Sequence, residues 1–305
     1  MPISRRHLLL AGAFPLWAQE ARFSTDVNVV TLLATVRDRD GHIAGNLTRD
    51  DFLMLEDGKP QTITYFSRES DLPLTIGLLV DTSRSQTGVL EPERAASFTF
   101  LDQVLREGKD VAFVAHFDTD VEVLQGFTSS RRELAAALDQ FFIPPRVATL
   151  IFEAIRETSE HLMRRRQGRK AFILLSDGVS FRDKCSIGTA IEYAQRADTI
   201  IYSILFSDHP KIYRPGRAVV SAIGAEGGRN AMRRLARETG GAYFEVSAAH
   251  PIDRTYTEIE DALRNQYALG YTPQSAGKPG QYHKIHLETK SRGLLVQTRD
   301  GYYSK

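Results

Sequence analysis

The chain has 305 residues, with 39 Lys and Arg against 38 Asp and Glu, a net charge of +1. That length suggests two domains, or one large domain with an appendage. A composition 42% apolar and 25% charged is that of a globular protein and excludes a collagen-like, disordered or polytopic membrane chain. Balanced charge gives no global electrostatic case for nucleic acid. The single cysteine, Cys185, excludes an internal disulfide and a cysteine-based zinc site, so any metal is held by oxygen or imidazole.

Residues 1–18 have the regions of an export signal. Arg5-Arg6 is followed by an apolar run from Leu8 to Ala18 with no acidic residue, shorter than the about 20 apolar residues of a bilayer span. The arginine pair points to the twin-arginine route. That route carries folded chains, and a core of this size can be stable without disulfides. Cleavage is expected near Ala18-Gln19, which removes Trp17, the only tryptophan. The remaining chain is expected to have no transmembrane segment and no lipid anchor, and to be periplasmic or secreted.

Residues 23–70 read as the first part of a small β-domain. Val27 to Thr35 is rich in β-branched residues, 52–55 and 61–66 are further strands, and Asp38-Arg39-Asp40-Gly41 and Asp57-Gly58 are turns. Asp38 and Asp40 have the chemistry of calcium ligands, but turn formation accounts for them. From Leu74 strands and helices alternate. Strands are expected over 75–80, 111–117, 121–124, 171–175, 199–206 and 242–246. Helices are expected over 93–105, 131–141, 150–165, 187–197, 229–238 and 252–266. Ser130-x-x-Glu133 is a capping box, and Gly240-Gly241 ends its helix. The fold class is therefore α/β, a doubly wound, mostly parallel six-stranded sheet with helices on both faces. The Arg164-Arg165-Arg166 tract with Arg169 and Lys170 has the look of a nucleic-acid patch, but it lies at a helix C-terminus, where cations complement the dipole. Over 266–305 the β-pattern returns, with a strand at 267–271 and a hairpin of 282–289 with 294–299. Three strands cannot bury a face alone, so they are expected to pair with those of 23–70, both termini building one β-domain into which residues 72–265 are inserted.

In an open α/β sheet, ligands bind beyond the carboxyl ends of the strands. The first buried strand ends in Asp81-Thr82-Ser83-Arg84-Ser85 and a later one in Ser176-Asp177-Gly178, while Thr149 opens a helix between them. Two carboxylates, Asp81 and Asp177, and three hydroxyls, Ser83, Ser85 and Thr149, make an oxygen-only set suited to a hard divalent cation such as magnesium.

The Asp-x-Ser-x-Ser signature, the downstream Thr149 and the Ser176-Asp177-Gly178 strand end resemble the metal-ion-dependent adhesion site of von Willebrand factor type A domains. The resemblance covers residues 72–265 and includes Glu238-Thr239-Gly240-Gly241 before the last strand. The flanks, with Glu56-Asp57-Gly58-Lys59-Pro60, Tyr267 to Tyr271 and Gly301-Tyr302-Tyr303, are similar to a bacterial group of exported type A-related proteins. The resemblance implies that Ser83 and Ser85 bind the metal directly, Thr149 directly or through water, and that Asp81 and Asp177 hold its waters. Magnesium, or manganese or calcium, is the implied ion, and a carboxylate from a partner protein completes its coordination. The function implied is metal-dependent protein binding rather than catalysis. The alternatives are a metal-assisted hydrolase and a structural envelope component with a vestigial site. The chain departs from the family at Val179-Ser180, where many members carry another acid. Arg84 stands beside the ligands, either attracting an acidic partner or extending into solvent.

Other candidates have simpler readings. His283 and His286, three apart in a strand, point to opposite faces, which argues against zinc. Asp118 and Asp120 are expected to be solvated around a turn. Cys185 follows Lys184, a neighbour that lowers a thiol pKa, though a small residue near a helix start explains it as well.

Overall fold

The computed structural model describes residues 29–68, 72–145, 147–206, 217–273 and 277–304, with the backbone alone for 217–225. The expected signal, residues 1–18, lies outside them, as do Val27 and Asn28 of the first strand.

Four strands precede the α/β region: β1 (Val30–Arg37), β2 (Phe52–Glu56), β3 (Lys59–Pro60) and β4 (Tyr65–Arg68). The central sheet is then built from β5 (Leu74–Asp81), β6 (Val111–Phe117), β7 (Val121–Thr128), β8 (Arg169–Ser176), β9 (Ile200–Leu205) and β10 (Tyr243–Glu245). Their order is β10-β9-β8-β5-β6-β7, parallel except for β7, which runs antiparallel to β6. All eight residues of both β5 and β8 are buried, as expected of strands covered on both faces. Alternate residues of β5 divide between two cores. Leu74, Ile76, Leu78 and Val80 pack with helices α1 (Leu90–Val104), α2 (Arg131–Leu138) and α6 (Ile252–Arg264). Leu79 packs with α3 (Ile151–His161), α4 (Ile187–Arg196) and α5 (Arg217–Thr239). Gly77 is required on that second face. A Cβ there would come 2.5 Å from the ring of Phe113 and 2.7 Å from that of Phe172, which meet edge to face at 6.2 Å.

After α6 come β11 (Tyr267–Tyr271), β12 (Tyr282–Thr289), β13 (Leu295–Gln297) and β14 (Gly301–Tyr303). They pair with the N-terminal strands in two four-stranded sheets, β13-β1-β11-β4 and β14-β12-β2-β3. The expected hairpin of 282–289 with 294–299 is therefore corrected: β12 lies between β2 and β14, and β13 pairs with β1 in the other sheet. Crossing between sheets lets Ile285 and Leu287 face Leu32, Val36, Tyr267 and Leu269 across one shared core, whereas a flat hairpin would leave that face open. His283 is buried and His286 exposed on opposite faces of β12. The His283 Nδ1 lies 2.8 Å from Asp57, and Tyr271 donates to the buried Glu56.

Three further expectations change. The helix expected over 229–238 runs from Arg217 to Thr239. In the capping box, Ser130 accepts from the Glu133 N–H at 3.3 Å, but Glu133 itself accepts from Thr128 at 2.6 Å, and Thr128 takes the Ser130 N–H. In the basic tract Arg169 is no surface cation. It is buried and donates to the carbonyls of Leu263, in the last turn of α6, and Leu72, two residues before β5, tying the seam between the α/β sheet and the flanking strands. Arg169→Ala removes both bonds; the Leu72 carbonyl keeps its bond from Arg106, and that of Leu263 loses its arginine donor. The substitution is expected to destabilise the protein by about 3 kcal/mol in urea denaturation, with the Asp81 end of β5 unaffected.

Candidate metal centre

β5 delivers Asp81 to the carboxyl edge of the sheet with no exposed surface. The Ser83 N–H turns back to donate to Asp81 Oδ1 at 2.9 Å, and a 3-10 turn, Arg84–Gln86, comes next. This fold-back brings the two serine hydroxyls together, with Oγ atoms 3.0 Å apart. The neighbouring strand β8 supplies Ser176, which donates to Asp81 Oδ2 at 2.5 Å and accepts the Gly178 N–H at 3.0 Å. Asp177 is next in the chain, its Oδ1 accepting the Val179 N–H at 2.9 Å. Gly178 has φ +76°, and a Cβ on it would lie 2.5 Å from the carbonyl oxygen of Gly228 in α5. Only glycine meets both demands, so the backbone of α5 fixes where Asp177 stands.

Thr149 arrives on a loop held at two points. It exchanges backbone bonds with Phe181, 2.9 and 3.1 Å, and the next N–H, Leu150, donates to the Asp118 carbonyl. Asp118 is a correction to the sequence reading. Asp120 is exposed, but Asp118 is buried because its carboxylate accepts from the hydroxyls of Thr82 and Thr119, both at 2.9 Å. Thr82 also meets His116 Nδ1 at 2.8 Å. Thus the residue between Asp81 and Ser83 pins the hydroxyl loop to the end of β6, and Asp118 pins the Thr149 loop beside it. His116 and Asp118 were legible by the strand-end rule that found Asp81, since they alternate at the carboxyl end of the next parallel strand.

Past Asp177, Ser180 turns to Asp183 at 3.1 Å, and Asp183 accepts the N–H groups of Phe152 and Glu153 at 2.7 and 3.0 Å. That carboxylate caps the start of α3, the helix that Thr149 introduces. Cys185 is the second correction. Burial, then the charges of Asp183 and Glu153, push its thiol up to about 12 against the opposing charge of Arg156.

The electrostatics of the centre call for a cation. Burial, then the charge of Asp177, pushes Asp81 up to about 7. Two carboxylates with hydroxyls and no nitrogen or sulfur donor fit a hard divalent ion, and such an ion relieves the repulsion between the acids. A cleft of about 1440 Å³ lies elsewhere, lined by Leu72, Lys170, Arg196 and Arg299. Three of its cations are engaged: Arg196 with Glu192, Arg299 with Asp198, and Lys170 with the Arg166 carbonyl.

Two measurements check these assignments. The folded pKa of Asp81 lies above its ordinary 3.8, so the native state holds an extra proton between them. The stability this group contributes is full below about pH 4 and is lost as pH rises through about 7. In EDTA, Asp81→Asn is therefore expected to gain on wild type by roughly 3 kcal/mol between pH 4 and 8 in urea denaturation, and saturating Mg²⁺ to stabilise wild type alone. For Cys185, a thiol pKa of about 12 predicts alkylation by iodoacetamide at pH 8 roughly a thousandfold slower than in the unfolded chain.

Comparison with known proteins bears on the fold. No curated protein sequence matches the chain. Among solved structures, proximal thread matrix protein 1 from the mussel byssus, with a zinc-occupied MIDAS motif, superposes with a TM-score of 0.51 at 13% identity over 68% of this chain; the match spans 49% of that protein. The von Willebrand factor domain of the type V pili tip protein Mfa5 from Porphyromonas gingivalis gives 0.47 at 12% identity, over 62% of this chain and 94% of that one. An aerotolerance-related membrane protein from Bacteroides fragilis gives 0.46 at 15%, over 62% and 98%. The sequence profile of the von Willebrand factor type A domain matches residues 75–258, and the chain belongs to that family.

Proposed function

We propose that Asp81, Ser83, Ser85, Thr149 and Asp177 form a divalent-cation centre through which this protein binds an acidic residue of a partner protein. The observation that carries the reading is the bonded chain from Ser85 through Ser83 to Asp81 and on to Ser176, which ends beside Asp177 and leaves a buried carboxylate raised to about 7. Ser83 and Ser85 would ligate directly, Thr149 directly or through water, and Asp81 and Asp177 would orient the waters. A cation held this way supplies a positive charge able to take one further oxygen from outside. Magnesium suits the donors best, with manganese or calcium as substitutes.

The rim supports an acidic partner. Arg84 stands exposed between the two serines, and Arg182 lies over the exposed ring of Phe181, 5.3 Å from its centroid. A hollow of about 360 Å³ beside Thr149 is lined by Val147, Ala148, Leu150, Arg182, Lys184 and Thr119. Apolar surface flanked by cations matches a carboxylate set among apolar side chains.

The hydrolase alternative needs a base within reach of substrate. His116 is the imidazole beside the centre, but it is 3% exposed, with Nδ1 against Thr82 and Nε2 3.3 Å from Glu122. Thr82, Asp118 and His116 mimic a catalytic grouping in composition while serving as an internal brace. We therefore read the protein as a binding module and not an enzyme. The Arg5-Arg6 signal pattern supports an exported, periplasmic or secreted, setting. No helix among the described residues is long and apolar enough to cross a membrane.

Ser83→Ala with Ser85→Ala is expected to abolish Mg²⁺ binding in calorimetry while the far-ultraviolet dichroism spectrum stays that of wild type. In pull-downs from envelope extract, partner capture should occur in Mg²⁺ and vanish both in EDTA and with the double variant. Capture that persists in EDTA would point instead to a structural component with a vestigial centre.

A further inference from the structure

Glu93 lies in the first turn of α1, twelve residues beyond Asp81. Its side chain is 1% exposed, and neither carboxylate oxygen has a hydrogen-bond partner. Burying a carboxylate this way disfavours its charged form: burial, then the charges of Asp81 and Asp177, hold the Glu93 pKa well above the usual carboxylate range, so with no cation nearby it rests protonated and only added positive charge ionises it. The adjacent cation does not, because Arg94 turns to Glu91 at 3.1 Å and to the Phe141 carbonyl at 3.0 Å. From α6 the group that faces Glu93 is the Tyr256 phenol, but its hydroxyl is turned to Ser97 at 3.1 Å. The charges that act on Glu93 are those of Asp81 and Asp177, both negative. Gln86 repeats the anomaly one residue after Ser85. It is fully buried, and neither its amide nitrogen nor its amide oxygen is bonded. Four polar atoms without protein partners are therefore buried in the segment that carries the serine ligands, where a satisfied interior would show none.

We propose that Glu93 is a third carboxylate of the metal centre, set on its buried side, where it accepts hydrogen bonds from the hydration waters of the cation, with Gln86 as a further neutral partner for that water. The proposal rests on reading the centre as a divalent-cation site and adds to it a residue outside the Asp-x-Ser-x-Ser, Thr and Asp pattern. The placement dictates the chemistry. Water on a dication is a strong donor, so a buried carboxylate that finds no donor in the protein finds one there. A third negative charge also favours a divalent over a monovalent ion. Because Glu93 is buried, it competes with no partner for the outer face, where Arg84 and Arg182 stand.

The test is calorimetry of the full chain with Mg²⁺ and separately with Mn²⁺, paired with thermal melts in EDTA and in Mg²⁺, on wild type, Glu93→Gln and the Ser83→Ala/Ser85→Ala variant. Glu93→Gln keeps the shape and removes the charge. It is expected to raise the Kd for both ions about 10–100-fold, to melt in EDTA no lower than wild type, and to show a smaller Mg²⁺-induced rise in Tm. Should that variant fail to fold, Glu93→Met, apolar and of similar length, serves for the same comparison. A Kd equal to that of wild type overturns the proposal, as does an equal loss of Tm in EDTA and in Mg²⁺, the mark of a merely structural residue. If wild type binds and the serine variant does not, that failure is confined to Glu93. If wild type binds neither ion, the reading of the whole centre falls with it.

Discussion

The two ends of strand β5 treat a buried carboxylate in opposite ways, and the rest of the molecule depends on the difference. At its start stands Asp110, wholly buried, accepting the Leu74 N–H and bonds from Arg106, with Arg264 at 3.2 Å. Burial alone would raise its pKa, but the Arg106 bonds hold it down to about 2. At the other end Asp81 is just as buried, and the charge beside it is a second carboxylate. The first arrangement is a finished ion pair that ties the start of β5 to the end of α6. The second is unfinished, and it lies where an open α/β sheet receives ligands. About eight residues of strand, roughly 26 Å, separate the two.

An unfinished charge cluster holds its geometry only if its surroundings are rigid, and the bracing here is extensive. Asp81 is bonded by Ser83 and Ser176, Thr82 is clamped to Asp118 and His116, and Leu150 donates to the Asp118 carbonyl. Asp183 holds the first N–H groups of α3. These bonds link the ends of β5, β6 and β8 and the start of α3, so the loops that carry the proposed ligands are tied to regular structure. Preorganisation of this kind is what makes an oxygen site selective, because a dication is bound well only where its donors need not be gathered. The carboxylate in the loop after Asp177, Asp183, is committed to the start of α3 and to Ser180.

Much of this was legible because strand ends obey simple rules. Continuous apolar runs marked β5 and β8, and residues just past such runs fall at the ligand-binding edge, so Asp81, Ser83, Ser85 and Asp177 could be named from the sequence. The less regular parts of the fold were not legible, for physical reasons. The first half of α5 contains Gly224, Gly227 and Gly228, which argue against a helix. Gly228 is there because the Asp177-Gly178 backbone passes within touching distance, a constraint invisible until both segments are placed. Helix α1 begins at Leu90, not Glu93, with Pro92 in its first turn, where proline's missing N–H does no harm. β12 and β13 read as a hairpin because spacing reports turn length but not which sheet each strand joins.

Glu93 shows the limit most sharply. In the sequence it is an acid at the start of a helix, the place where acids are favoured by the dipole, and nothing marks it out. In the fold the side chain is buried away from solvent and feels the charges of Asp81 and Asp177. A helix N-terminus can ease one buried carboxylate, since its free N–H groups carry partial positive charge. It does not hydrogen-bond this one, and three acids outnumber what one helix end can offset. Without positive charge from outside the chain, burial and the two neighbouring acids keep Glu93 in its neutral form, and a divalent ion at the proposed centre is what would let it ionise.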